Sequence, residues 1–189
     1  MTGRRAARPE IGCRPAVCCG TLVTVIELRV LTPDDWQAWR ELRLAALAEA
    51  AYAFGSQLAD WQGDGDREQR WRDRLSIPGS YNLIAVLDGQ PAGMASGVPG
   101  ADEDGTAELI SMWVSPAARG RGVADRLVQV VVDWARQAGA GMIKLAVAED
   151  NQSAIALYRR SGFAGTDEPG DLMPDGMRRE LVMARSLAT

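Results

Sequence analysis

Arg119-Gly120-Arg121-Gly122-Val123-Ala124 stands between an apolar strand and a long amphipathic helix, and its reading decides the fold. Before it, Ala107-Glu108-Leu109-Ile110-Ser111-Met112-Trp113-Val114 has the composition of a buried strand and stops at Ser115-Pro116. After it, Val123, Leu127, Val130, Val131 and Trp134 recur at helical spacing along one face. Two glycines where a strand turns into a helix leave successive backbone N–H groups uncovered by side chains. With the positive end of the helix dipole behind them, the amides of Gly120 to Asp125 form an anion nest suited to a phosphate or pyrophosphate. Arg119 and Arg121 add positive charge at its rim. The same residues also suit an ordinary strand-to-helix turn with solvated arginines.

The loop is not a Walker A loop, because the Gly-Lys-Ser/Thr ending is missing. Nor does it meet the glycine spacing of the dinucleotide fingerprint G-x-G-x-x-G. It resembles the R/Q-x-x-G-x-G/A coenzyme A signature of the GNAT superfamily of N-acetyltransferases, with Arg119, Gly122 and Ala124 at its first, fourth and sixth positions. A second stretch, Asn151-Gln-Ser-Ala-Ile-Ala-Leu-Tyr158-Arg-Arg-Ser-Gly162-Phe163, is similar to that family's N-x-x-A-x-x-x-Y-x-x-x-G-F. The resemblance runs from about Val25 to Leu187. It implies an α/β (α+β) fold, a central mixed, mostly antiparallel sheet of about six to seven strands flanked by helices. It also implies acetyl-CoA as co-substrate, with no metal.

Composition agrees with one α/β domain at residues 25–189. No apolar run approaches the length of about 18 to 20 residues that spans a bilayer, so no membrane partner is expected. Residues 1–24 differ in kind: Arg4, Arg5, Arg8 and Arg14 stand against only Glu10, so this segment carries +3 of the chain's net −4 and the rest carries −7. Ala16 to Ile26 has the length of a signal-peptide apolar region, but no A-x-A cleavage site follows, and Val23 to Val30 is better used as the first strand. The segment is expected to be a disordered tail. All three cysteines, Cys13, Cys18 and Cys19, lie in it, and they make neither a disulfide framework nor a metal site. A folded part without cysteine fits a reducing cytoplasm.

The chain has no histidine. That excludes Ser-His-Asp and Cys-His catalysis, histidine bases and most zinc and non-haem iron sites. Acid–base work falls to carboxylates, tyrosine, the single lysine Lys144, or water. Direct acetyl transfer survives this restriction because it needs no covalent enzyme intermediate.

The expected order of elements begins with a strand at Ile26–Val30, then Thr32-Pro33-Asp34-Asp35 as a capping-box-like helix start. A helix carrying Trp36, Trp39, Leu42 and Leu47 fades near Ala50-Ala51. A second helix spans Asp66 to Leu75, with Trp71 and Leu75 inward. Tyr81–Leu87 and Ala92–Val98 pair about the turn signal Asp88-Gly89-Gln90, and Pro99 to Gly105 is an acidic loop. The signature strand and helix follow, the helix closed by Gly139 to Gly141. Then come a strand at Met142–Ala148, a helix at Asn151–Ser161 ended by Gly162, and strands at Phe163–Gly165 and Arg179–Leu187.

Acetyl transfer from a thioester to an amine needs an anchored pyrophosphate, a polarised carbonyl, a deprotonated ammonium and a protonated leaving thiolate. The nest serves the first. By the resemblance, backbone N–H groups of a splayed strand at Met112, Trp113 and Val114 serve the second; a fully paired strand is the alternative. Glu108 is the candidate base: alternation puts it on one face with Ile110 and Met112, and burial in an apolar strand raises a carboxylate's pKa. A water-mediated base, with Glu108 exposed at a strand end, is the alternative. Tyr158 is the candidate acid, since a phenol keeps its proton at neutral pH. Asn151 shares a helix face with it, where it caps the helix and is also placed to bind the pantetheine arm. Phe54, Gly55 and Trp61 are weak candidates for acceptor contact, the other tryptophans being packing. With Asp60, Asp64 and Asp66 nearby, that region leans toward a cationic amine.

Two function classes follow. The first is an N-acetyltransferase acting on a primary amine of a small molecule or a protein N-terminus. The second is an acyl-CoA-binding sensor or interaction module without catalysis. Nucleic-acid binding is disfavoured by the acidic folded part and the short basic tail without interleaved aromatics. Homodimers are frequent in the family, but no surface pattern establishes one here.

Overall fold

In the computed structural model, residues 25–100 and 105–187 are described. The expected tail at 1–24 and most of the acidic loop, at 101–104, lie outside them. Seven strands form one sheet in the order β1-β2-β3-β4-β5-β7-β6. They are β1 (Ile26–Val30), β2 (Tyr81–Leu87), β3 (Gln90–Pro99), β4 (Thr106–Val114), β5 (Met142–Ala148), β6 (Ala164–Leu172) and β7 (Arg179–Ser186). The helices are α1 (Trp36–Glu49), α2 (Glu68–Leu75), α3 (Val123–Gln137) and α4 (Gln152–Arg160). Every neighbouring pair is antiparallel except β4 and β5.

Strand alternation sorts the core into two layers. Along β2, Leu83, Ala85 and Leu87 meet Val123, Leu127, Val131 and Ile155 of α3 and α4, whereas Ile84 meets Trp39, Leu47, Trp71 and Leu75 of α1 and α2. Each fully buried Leu or Val here contributes roughly 1.5–3 kcal/mol, so the sheet is held from both faces. Gly97 on β3 is the point of closest approach: a Cβ there would run into the Trp134 ring of α3.

The local signals are realised at their expected places. Thr32 donates to Asp35 Oδ2 from both its backbone nitrogen and its hydroxyl, each at 2.9 Å. Asp88 and Gly89 turn β2 into β3 with φ of 52° and 77°, the two positive values that a type I′ turn needs. Boundaries shift at several places, among them the strand expected at Ala92–Val98, which runs Gln90–Pro99. The second helix starts at Glu68, because Asp66 is drawn off to Arg40 and the Trp71 indole. The strand expected at Phe163–Gly165 continues to Leu172 through Pro169 and Gly170. It lies at the sheet edge with two register shifts against β7, where a proline's missing N–H costs no ladder bond.

Candidate active site

β4 carries the geometry on which the site depends. It pairs with β3 along its length but with β5 only through Thr106–Met142, Ala107–Ile143 and Glu108–Lys144. Beyond these pairs the strands diverge, and a cavity of about 640 Å³ opens beside the separated segments. Ser111 sits in the left-handed region at φ 55°, and the β3–β4 register shifts there. Such a conformation is uncommon for a residue with a Cβ.

This bulge corrects the face assignment. Ala107 and Leu109 point into the α3 layer, but beyond Ser111 it is Met112 and Val114 that do so, while Trp113 joins the α1/α2 layer. Glu108 and Ile110 therefore do not share a face with Met112, although all three border the cavity at the divergence. The side chains of Trp113 and Val114 are buried, which leaves only their backbone for any bound group.

Of the candidates expected from sequence, Phe54, Gly55, Trp61, Glu108, Met112, Asn151 and Tyr158 line the cavity, whereas Trp113, Val114 and Arg119 to Asp125 do not. Tyr158 is 6% exposed and meets Phe163 edge-on at 6.0 Å, and burial pushes its phenol above the ordinary value. It therefore keeps its proton throughout the neutral range. Asn151 Oδ1 accepts from the Ala154 backbone at 3.2 Å and from Ser153 Oγ at 3.0 Å, so the helix-capping reading holds. Lys144 donates to Glu168 at 2.8 Å. Glu180, on β7, has its carboxyl pKa raised by burial and by Asp171.

The nest lies past the end of β4. Gly120 and Gly122 have φ of 73° and 82°, and Val123 to Asp125 open α3. A Cβ at Gly120 would meet nothing, and one at Gly122 only Ile26 Cδ1 at 3.9 Å. The cradle is open, its amides lead a 15-residue helix, and the residues present fit a pyrophosphate. Asp125, the acid at its mouth, is gripped by Arg160 at 2.7 and 3.0 Å, which offsets its charge.

The arginines of the motif differ from expectation. Arg121 pairs with Asp88 at 2.6 Å. Arg119 donates from Nη2 to Glu49 at 2.7 Å and from Nε to the Val114 carbonyl at 3.2 Å. Both charges are thus engaged by carboxylates, and Arg119 fastens the loop to β4 and α1. Glu49 also accepts from Trp113 Nε1 at 3.0 Å, and this bond first, then Arg119, lowers its pKa.

Of the three acids expected to lean that region toward a cationic amine, Asp66 and Asp60 have local partners. Asp66 binds Arg40 and Trp71, which hold its carboxyl down to about 2, and Asp60 accepts from the Gln57 backbone. In place of acids, the cavity is lined on its α1/α2 side by Arg43 and Arg74. Sequence reading passed over both. The available signal was Arg43, four residues beyond Trp39 and four before Leu47, on the apolar face of α1.

The acetyltransferase (GNAT) family profile matches residues 36–163. Among curated relatives, a mycothiol acetyltransferase of Renibacterium salmoninarum is 29% identical over 78% of this chain and 43% of its own length. An IAA acetyltransferase of Azospirillum brasilense is 38% identical over 53% of this chain and 65% of its own. The chain spans less than two thirds of the length of these relatives. Among solved structures, yncA of Salmonella typhimurium, determined with acetyl-CoA, superposes with a TM-score of 0.70 at 25% identity, over 87% of this chain and 95% of that one. A GCN5-related N-acetyltransferase from Kribbella flavida gives 0.66 at 28% identity, over 86% and 98%. The chain belongs to the acetyltransferase (GNAT) family.

Proposed function

We propose that this protein transfers an acetyl group from acetyl-CoA directly to a primary amine held in the same cavity. The observation that carries the reading is the divergence of β4 from β5 beyond Glu108, beside which opens the cavity lined by Glu108, Met112, Asn151 and Tyr158. When bound, acetyl-CoA supplies the activated acetyl thioester. The amides of Gly120 to Asp125 bind its pyrophosphate, and the β4 backbone at Met112 to Val114, unpaired on its β5 side, offers donors to the acetyl carbonyl. Glu108 accepts the ammonium proton, directly or through a water. Tyr158, which lines the cavity and is protonated at neutral pH, gives its O–H proton to the departing sulfur. Asn151 holds the start of α4 and so the angle at which Tyr158 enters the cavity.

The experiment is a thiol-release assay with acetyl-CoA and a panel of primary amines. Amine-dependent release with a mass shift of one acetyl group on the amine supports transfer. Calorimetric binding of acetyl-CoA with no release for any amine would favour a non-catalytic acyl-CoA sensor instead.

A further inference from the structure

Arg43 and Arg74 line the cavity from α1 and α2, and no carboxylate among the described residues meets either guanidinium. Arg43 is 8% exposed, and its Nη1 is buried without any hydrogen-bond partner. Its guanidinium lies on the Phe54 ring at 4.5 Å, which orients it but satisfies no donor. Arg74 is held by three neutral oxygens, Asn82 Oδ1, Ser96 Oγ and Ser111 Oγ, each at 3.2 Å. Burial lowers both pKa values to about 10, for Arg43 with help from Arg74 itself. That still leaves both charged at neutral pH. By contrast, Arg40 on α1 and Arg72 on α2 each have a carboxylate partner, Asp66 and Asp34. A buried and a half-buried guanidinium without a counter-ion are costly, and both border the cavity.

The sheet contributes the opposite charge. Glu108 on β4 and Glu180 on β7 border the same space. An acceptor that carries both an ammonium and a carboxylate offers each set a partner of opposite charge within the one cavity.

We infer that the acceptor is a small zwitterion, an amine that also bears a carboxylate in the manner of a free amino acid, with Arg43 and Arg74 as its carboxylate-binding pair. The inference rests on the acyl-transfer reading for which substrate is meant, and it excludes a protein N-terminus, whose nearest carboxylate is blocked as a peptide bond. Arg43 supplies the unsatisfied donor. Arg74 is fixed in direction by its three oxygens and supplies charge.

The test compares free L-amino acids with the amines left by removing their carboxyl groups, for instance L-leucine with 3-methylbutylamine and L-phenylalanine with phenethylamine. Thermal shift and, with acetyl-CoA, thiol release are measured for wild type, Arg43→Met and Arg43→Lys. One charge-assisted hydrogen bond corresponds to roughly 10- to 150-fold in affinity. At least one amino acid should therefore be preferred over its decarboxylated partner by tenfold or more in wild type. Arg43→Met should abolish the preference and Arg43→Lys restore part of it, while free Arg43→Met melts no lower than wild type, because the lost charge had no partner. Equal or better use of the decarboxylated amines, no response to any amino acid, or a preference that survives Arg43→Met would each overturn the inference. Shifts are read with and without acetyl-CoA. Failure of acetyl-CoA to bind by calorimetry would overturn the transfer reading and leave the carboxylate preference to be judged by itself.

Discussion

Glu49 accepts from Trp113 Nε1 and Arg119 Nη2 through one oxygen, Oε2, so Glu49→Ala and Glu49→Gln remove different parts of one junction. Trp113 is 7% exposed. Stranding its indole N–H costs about 1–3 kcal/mol. The ion pair joins side chains 48% and 33% exposed, which limits it to about 0.2–1 kcal/mol. Glu49→Ala should therefore cost roughly 1.5–3 kcal/mol, a fall in Tm of roughly 3 to 12 °C for a chain of this size. Glu49→Gln keeps an acceptor for the indole and should cost only the ion-pair part. Because Arg119 also ties down the carbonyl of Val114, the pair orders the loop that presents Gly120 and Gly122. A coupling of about 0.5–1 kcal/mol spent on that order corresponds to roughly two- to fivefold in acetyl-CoA affinity. The pH sign follows from the lowered Glu49 pKa. Its contribution is present above the unfolded value of about 4.5 and is lost as pH falls through the folded one. The stability gap between wild type and Glu49→Gln should accordingly close on acidification. A double-mutant cycle with Arg119→Gln, read by melting and by acetyl-CoA calorimetry, checks this. Strict additivity in both readouts, or a gap that widens in acid, would refute the junction.

Three further outcomes concern the proposed chemistry. Tyr158→Phe should keep the fold and acetyl-CoA affinity but slow turnover roughly 10²- to 10⁴-fold; a change below threefold with chemistry rate-limiting would leave Tyr158 as packing. Gly122→Asp sets a side chain at φ 82°, a strain of roughly 1–2 kcal/mol, and a negative charge at the nest. It should therefore abolish most acetyl-CoA binding by calorimetry, with Gly122→Ala reporting the strain alone. Glu108→Gln should lower kcat/KM at neutral pH and recover part of it at high pH, where the amine arrives without its proton, while acetyl-CoA affinity is unchanged; equal rates across the profile would assign deprotonation to water or another group.

What was legible in the sequence was what short spacing controls. The Asp88-Gly89 turn, the Thr32–Asp35 box, the Asn151 cap and the nest each close within a few residues, so residue type and spacing suffice. The junction of Glu49 with Trp113 and Arg119 spans 64 and 70 residues, and no local pattern marks it. β6 was read too short because Gly165, Pro169 and Gly170 are poor strand formers; tertiary pairing overrides them, and a side chain at Gly170 would collide with the Glu180 backbone. Arg43 and Arg74 were passed over because an arginine on a helix is ordinarily solvated. Only the packing of α1 and α2 against the sheet turns these two inward. The local partners of Asp60 and Asp66 were equally invisible, since only the folded chain brings Arg40 and Trp71 to Asp66.

Ser111 shows why strand alternation, applied without interruption, misplaced part of the site. One residue in the left-handed region inverts the parity of β4, so that Trp113 joins the α1/α2 layer and not the α3 layer of Ala107 and Leu109, where unbroken alternation would place it. Without that inversion, Trp113 would turn away from Glu49, the carboxylate that also holds Arg119 at the nest loop. The same residue's hydroxyl accepts from Arg74. A glycine would take the φ of 55° without steric cost, but it would leave that guanidinium short of one oxygen. The strain at Ser111, roughly 1–2 kcal/mol, is thus offset at two places that are remote in sequence. One of them holds the cofactor loop, and the other aims the charge proposed to receive the acceptor.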